Sequence, residues 1–413
     1  MLDPQYVRKN VEAVKQNMIE RKMNGGVVDE WLVSDQKRKE VIASIEEIRK
    51  LRNDGAKNSD SDRERMREAK KNLKEQEETL DSINLEWNEL FCQIPNIHTA
   101  DVPIGKTETE NVTIFQSDTV TSFDFTPKDH VELLVPRNLI DFERGTKVAG
   151  SQFYFLQGDM VLLEMAVTQF ILDYTMQRGY LPLHTPDMAR SRYYLGTGYN
   201  PRGDEAQTYE IKDEDLGLIA TAEVTTAGYH ADEIIPANEL PKKYIAMSHC
   251  FRKEAGSYGK YSRGLYRTHQ FTKLELFIFC QPSESKQFHE EILDIEKGIM
   301  EVLNIPYRVL NICSGDLGSM AAKKYDVEAW MPGRNDFGEV TSTSNCTDYQ
   351  ARNLNIKFRD NDGTIKYAHM LNGTAGALSR LLLAIVENYQ QADGSILIPD
   401  ALQKFMVGNK KVI

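Results

Sequence analysis

The densest run of chemically capable side chains is Phe251-Arg252-Lys253-Glu254-Ala255-Gly256-Ser257-Tyr258-Gly259-Lys260, continuing through Arg263-Gly264, Arg267-Thr268 and His269-Gln270-Phe271. Arginines gathered this closely require anions, because guanidinium is always charged and matches carboxylate or phosphate through paired N–H groups. Glu254 lies two residues from Arg252, so in an extended strand both project from one face. A surface hairpin with Arg–Glu pairs has the same composition. A second run, Glu339-Val340-Thr341-Ser342-Thr343-Ser344-Asn345, offers hard oxygen ligands at Glu339 and Ser342 suited to Mg²⁺ beside a triphosphate. By itself it also reads as an ordinary strand or turn. Leu371-Asn372-Gly373-Thr374-Ala375 is read as opening a helix with Leu378, Leu381, Leu382 and Ile385 on its buried face, and Arg380 stands off that stripe. Thr221-Ala222-Glu223-Val224 alternates Thr and Glu onto one face. No G-x-x-x-x-G-K-[ST], no strand-linked G-x-G-x-x-G and no H-E-x-x-H occurs, which argues against nucleotide binding through those loops and against a histidine metal site.

The arginine-rich run needs a scaffold. Strand-like segments flank it, with Tyr244–Met247 before and Leu274–Phe279 after, so a long hairpin is expected. Helical runs are Met160–Met176 and Ala375–Tyr389. Strands and helices do not alternate regularly, which favours an α+β domain centred on an antiparallel sheet over a doubly wound fold.

The first hundred residues differ in kind. Asp3-Pro4 reads as an N-cap and first-turn proline of one helix carrying Val7, Val11, Val14 and Met18, ended by Gly25-Gly26. A second helical stretch runs from Asp29 to Asp54, broken by Asn53-Asp54-Gly55. Ser61-Asp62-Arg63-Glu64 has the capping-box pattern. Beyond it Met66, Leu73, Leu80 and Trp87 recur every seven residues, with Ala69, Gln76, Ile83 and Leu90 between them, until Pro95. This is a coiled-coil seam, and the short turn makes an antiparallel two-helix hairpin the economical arrangement. Residues 35–80 hold 13 Lys/Arg against 12 Asp/Glu, so the hairpin is nearly neutral. A solvated spacer or protein-binding arm fits that pattern as well as an RNA-binding one.

At 413 residues, with 41% hydrophobic and 27% charged residues, the chain suits two or three soluble domains. The strongest apolar run, Leu381–Val386, is far too short for a membrane helix. Asp3, Glu12 and Glu20 near the start argue against a secretory or transit segment. Five scattered cysteines without a C-x-x-C pair suggest reduced thiols in a cytoplasmic protein and no zinc site. The net charge of −12 weakly disfavours a nucleic-acid partner, although a local basic face would suffice.

Taken in order, these clusters resemble the seryl-tRNA synthetases of class II, over nearly the whole chain. The N-terminal hairpin (about 29–93) is similar to that family's tRNA-binding arm within residues 1–100, leaving 101–413 as the class II catalytic domain. Gly179-Tyr180 with Pro186 resembles the dimer-interface motif. Arg252-x-Glu254 with Phe271-x-Lys273-x-Glu275 resembles the second class motif, and Asn372–Arg380 with Glu387-Asn388 the third. Thr221-Ala222-Glu223 and Thr343-Ser344-Asn345 with Gln350-Ala351-Arg352 are also family-like.

The resemblance implies that Arg252, Glu254 and Arg380 are catalytic. It implies an ATP site of Arg252, Lys253, Glu254, Arg267, Thr268, Phe271, Glu339, Val340, Thr341, Ser342 and Arg380, with the adenine between Phe271 and Arg380. Mg²⁺ would be held by Glu339 and Ser342. A serine pocket would comprise Thr221, Ala222, Glu223, Arg252, Glu275, Asn372 and Thr374, with Glu275 accepting the serine hydroxyl. The implied partners are L-serine, ATP, tRNA(Ser), tRNA(Sec) and a second copy of the chain, with no membrane. Arg352-Asn353 and Thr225-Thr226 depart from common family patterns. Two rivals share the fold: an amino acid:carrier-protein ligase, which lacks the long hairpin and uses a cysteine-containing zinc site, and an inactive synthetase-like interaction protein.

Overall fold

The computed structural model describes residues 1–54, 60–199, 208–254 and 264–413, with backbone alone at 51–54 and 60–65. The glycine-rich stretch 255–263, including Arg263, and the capping-box side chains of Ser61–Glu64 therefore lie outside the described residues. The chain divides into two compact units, Met1–Ile97 and His98–Ile413.

The first unit is helical: α1 Pro4–Lys9, α2 Val11–Glu20, α3 Val27–Asp54 and α4 Asp60–Phe91. Asp3 caps α1 by accepting from the Gln5 amide at 2.7 Å. The single helix expected over Val7–Met18 is broken at Asn10, whose φ and ψ are −128° and 38°. Its side-chain amide donates to the Tyr6 carbonyl at 2.8 Å, a local bond that competes with helix continuation. α3 and α4 run antiparallel. Trp87 donates to Asp35 (3.1 Å), Arg38 to Asn84 (2.7 Å) and Arg49 to Glu77 (3.0 Å), so partner numbers fall as α3 rises. Leu73 and Ile45 are buried in the seam, whereas Met66 is 38% exposed. At the base, Trp31 is fully buried, 4.8 Å from the Phe91 ring and 5.6 Å from Trp87. Buried Asp35 is charged there: burial opposes ionisation, but hydrogen bonds from Arg8, Lys39 and Trp87 hold it well below the carboxylate range.

The second unit is built on an eight-stranded sheet of β1 Val112–Gln116, β2 Leu181–His184, β3 Lys242–Phe251, β4 Gln270–Cys280, β5 Tyr307–Asn311, β6 Lys323–Met331, β7 Asp336–Asn345 and β8 His369–Ala377. Its order is β1-β5-β6-β7-β8-β4-β3-β2. Every pairing is antiparallel except that of β2 with β3. The helices that frame it are α5 His130–Leu134, α6 Asp159–Met176, α7 Glu223–Tyr229, α8 Ser285–Val302, α9 Tyr349–Leu354 and α10 Leu378–Asn388. Along β4 the side chains alternate. Leu274, Leu276 and Ile278 enter the large core with residues of α6, α8 and α10. On the opposite face Phe277 and Phe279 pack with Ala351 and Leu354 of α9, while Lys273 and Glu275 precede them at the same parity.

Two segments differ from the sequence reading. Asn372–Ala377 is the end of β8, and the helix begins only at Leu378. The glycines there admit helices onto the sheet: a Cβ on Gly373 would meet Ile292 of α8 at 2.3 Å, and one on Gly376 would meet Ile171 of α6 at 2.5 Å. Thr221-Ala222 is not a strand face but the approach to α7; the Glu223 amide donates to the Thr221 hydroxyl at 3.2 Å.

Candidate active site

The hairpin of β3 and β4 pairs Gln270 with Phe251 and Lys273 with Ser248. β3 ends at Phe251, so Arg252 and Glu254 do not share a strand face as expected. Beyond the strand the backbone turns, and Glu254 takes a left-handed φ of 47°, uncommon for a side chain of this kind and often found at functional sites. Both nevertheless reach one cleft. The Arg252 guanidinium lies 5.4 Å from the Phe271 ring centre, and Arg267 bonds Glu254 at 2.7 Å. Glu254, Arg267, Thr268, Phe271, Glu339, Val340, Thr341, Ser342 and Arg380 line this cleft with Arg252, as do Tyr266 and Lys273. Lys253 does not: it is exposed, its ammonium 5.9 Å from the Tyr209 ring.

Arg380 reaches the cleft from the first turn of α10. It donates to Glu339 (3.0 Å) and to the Tyr266 carbonyl (3.3 Å), with its guanidinium 4.7 Å from the Tyr266 ring. Glu339 and Ser342 are three residues apart yet both are half-buried at the cleft, because the β6–β7 register shifts between Val327 and Glu328. The extra residue, Val340, forms a bulge that brings an odd spacing onto one face. Burial works against the Glu339 charge, but Arg380 and Lys324 outweigh it and hold the carboxyl at about 2. Asp326, opposite Ser342, is pushed by burial to about 7 despite Lys324, with Glu339 adding to the rise. Among the described residues no group of three or more His, Cys, Asp or Glu is placed to hold a metal. An ionised carboxylate beside a hydroxyl still fits a hard cation whose remaining positions go to phosphate oxygens and water.

A second, fully buried polar network adjoins the cleft. A bulge at Ala375 of β8 sets Thr374 directly opposite Glu275, and the Thr374 hydroxyl lies 3.4 Å from the Glu275 carboxylate. Lys273 pairs with Glu275 at 2.6 Å and donates to Thr221 at 3.0 Å. The cross-strand neighbours of Lys273 and Glu275 on β3 are the small residues Ser248 and Ala246. Glu223 accepts from Gln350 (2.7 Å), Asn372 (2.9 Å) and Tyr199 (3.1 Å). Ala222, beside Glu223, is fully buried. Burial and then the nearby charge of Glu275 push Glu223 up to about 7. Sequence reasoning gave no role to Lys273, Tyr199, Tyr266 or Gln350. Lys273 was within its reach, since it stands at strand spacing between Phe271 and Glu275. The others come together only through tertiary packing.

Residues 1–98 match the seryl-tRNA synthetase N-terminal domain family, and residues 208–389 match the tRNA synthetase class II core domain (G, H, P, S and T). The chain is 50% identical to a serine–tRNA ligase of Dictyoglomus turgidum, the match covering 98% of each chain. The chain belongs to the seryl-tRNA synthetase family. A Treponema denticola serine–tRNA ligase is 48% identical over 97% of this chain and 98% of its own length. Among solved structures, a Pyrococcus horikoshii seryl-tRNA synthetase complexed with ATP superposes with a TM-score of 0.91 at 39% identity, covering 100% of this chain and 99% of the other. A cytoplasmic Naegleria fowleri serine–tRNA ligase in complex with AMP gives 0.86 at 32% identity, covering 99% and 96%. The chain is thus a ligase with the class II synthetase core, an antiparallel-dominated sheet flanked by helices, joined to a helical arm. No helix among the described residues is long and apolar enough to cross a membrane.

Proposed function

We propose that the two adjoining sites take ATP and L-serine, and that the chain forms seryl-adenylate and then esterifies the 3′ end of tRNA(Ser). The carrying observation is the buried network of Glu223, Glu275, Lys273 and Thr374 opening beside the arginine-lined cleft. Two carboxylates face a single lysine there, so an amino acid's ammonium supplies the second cation, and Glu275 with Thr374 receives its hydroxyl. A buried acceptor left unpaired by alanine disfavours that substrate strongly. Arg252 stands between the sites, where it meets the serine carboxylate and the α-phosphate together. Phe271 and Arg380 flank the adenine, Glu254 accepts from its amino group, Thr268 contacts the nucleotide through its backbone, and Arg267 exchanges Glu254 for the γ-phosphate.

The serine carboxylate oxygen attacks the α-phosphorus and pyrophosphate leaves. The ribose hydroxyl of tRNA then attacks the activated carbonyl and AMP leaves. No side chain need act as nucleophile; positioning and fixed charge lower the barrier. Mg²⁺, held by Glu339 and Ser342, would screen the triphosphate charge.

The α3–α4 hairpin serves as the tRNA arm, gripping shape and backbone, with tRNA(Sec) a second substrate of the same kind. The chain works in the cytoplasm as a homodimer. Met165 (63% exposed) on α6 and Leu181 (58%) on β2 supply apolar surface for that contact, whereas Tyr180 of the same motif is buried in its own unit and bonds Glu291.

Serine-dependent ATP–pyrophosphate exchange, measured against all twenty amino acids beside tRNA charging, tests the reading. Exchange with serine alone and charging of serine tRNA is the expected result. Exchange with another amino acid would overturn the pocket assignment. Exchange without charging would favour a carrier-protein ligase.

A further inference from the structure

Glu387, on the last turn of α10, is 1% exposed and accepts three N–H groups. The His130 amide (3.0 Å) and His130 Nδ1 (2.9 Å) meet Oε1, and the Gly333 amide (2.9 Å) meets Oε2. The other ring nitrogen, His130 Nε2, is 3.0 Å from the Leu265 amide. A backbone N–H only donates, so Nε2 is the acceptor and the ring proton sits on Nδ1, aimed at Glu387. His130 therefore reads one carboxylate and one amide at once, in a single tautomer.

Both ends of this relay converge on Tyr266. Leu265 precedes it in the short 3₁₀ turn Gly264–Tyr266. Gly333 precedes Arg334, whose guanidinium lies 4.6 Å from the Tyr266 ring, while Arg380 lies 4.7 Å from the same ring and donates to its carbonyl. The approach of His130 also dictates its neighbour: a Cβ on Gly264 would sit 2.1 Å from Nε2, and Gly264 has a φ of 71°. We propose that His130 and Glu387 are positioning residues for nucleotide binding, fixing the Gly264–Tyr266 turn so that Tyr266 holds Arg380 over the cleft. The proposal rests on reading that cleft as the ATP site.

The test is steady-state serine-dependent exchange with His130→Asn and His130→Gln. Asparagine keeps a donor toward Glu387 but cannot reach Leu265; glutamine can place an acceptor near the Nε2 position. Losing one buried acceptor should raise the KM for ATP about tenfold in H130N, leave the KM for serine within about twofold, and leave H130Q within about threefold for ATP. Hydrogen–deuterium exchange at the Leu265 amide should speed up in H130N and stay slow in H130Q. An unchanged ATP KM in folded H130N, or equal rises for ATP and serine, would overturn the proposal. If H130N does not fold, H130Q decides: wild-type ATP KM with a protected Leu265 amide supports the relay, and a tenfold rise with that amide still protected refutes it. Absence of exchange in the wild-type protein would instead remove the ATP reading itself.

Discussion

Arg252 enters the cleft with the Ala220 carbonyl at 3.4 Å and the Phe271 ring against its guanidinium, and within electrostatic reach of Glu339. Arg252→Ala should lower pyrophosphate exchange by about 10²–10³-fold, the usual effect of removing one preorganised donor, with an unaltered melting temperature. Glu223 gives a pH signature. Its carboxyl, ordinarily near 4.5, stands at about 7, so below pH 7 it is mostly protonated. Binding an ammonium beside it favours the ionised form and must release that proton. The KM for serine should therefore fall as pH rises toward 7, by up to about tenfold per unit, and level off above it. Glu223→Gln should abolish that slope. At this scale charge and spacing singled out Arg252, whereas the roles of Glu275 and Arg380 came only from the family resemblance. The sequence was silent on Tyr199 and gave Gln350 a place in a motif but no role, because both meet Glu223 only in the folded chain.

The hairpin is the element most separable from the chemistry, because α3 and α4 bury their seam against each other and the sheet unit has its own core. Deleting Val33–Asn84 leaves Trp31, Trp87 and Phe91 at the base. Adenylate formation by this variant should match the full chain, while tRNA charging is lost; charging at the normal rate would refute the arm's role. Heptad spacing predicted a coiled-coil seam, and the short turn between the two helices made an antiparallel hairpin the economical way to pair it. The strand β8 was misread as a helix start because Gly373 and Gly376 carry no side chains to show a period of two. Their purpose, the close approach of α6 and α8, belongs to packing.

For the whole molecule, the net charge of −12 opposes tRNA at long range, and any basic contacts must act locally. Binding of tRNA should weaken steeply with salt, log K falling linearly with log salt concentration in filter-binding measurements. A salt-independent affinity would argue against phosphate contacts altogether. Sedimentation should give twice the mass of one chain, and Met165→Asp on α6 should shift it toward the monomer. The two bulges carry a last consequence. A regular strand is read in two alternating phases, and at Val340 and Ala375 the sheet inserts one silent letter that changes phase. Were either letter paired in register instead of bulged out, composition and hydrophobicity would be untouched, yet every residue on one side of it would point the wrong way. Glu339 would lose Ser342, or Thr374 would lose Glu275. The face that lines the cleft thus depends on how two residues are paired rather than on the side chains they carry, and the backbone at these points is as strictly constrained as identity is within the cleft.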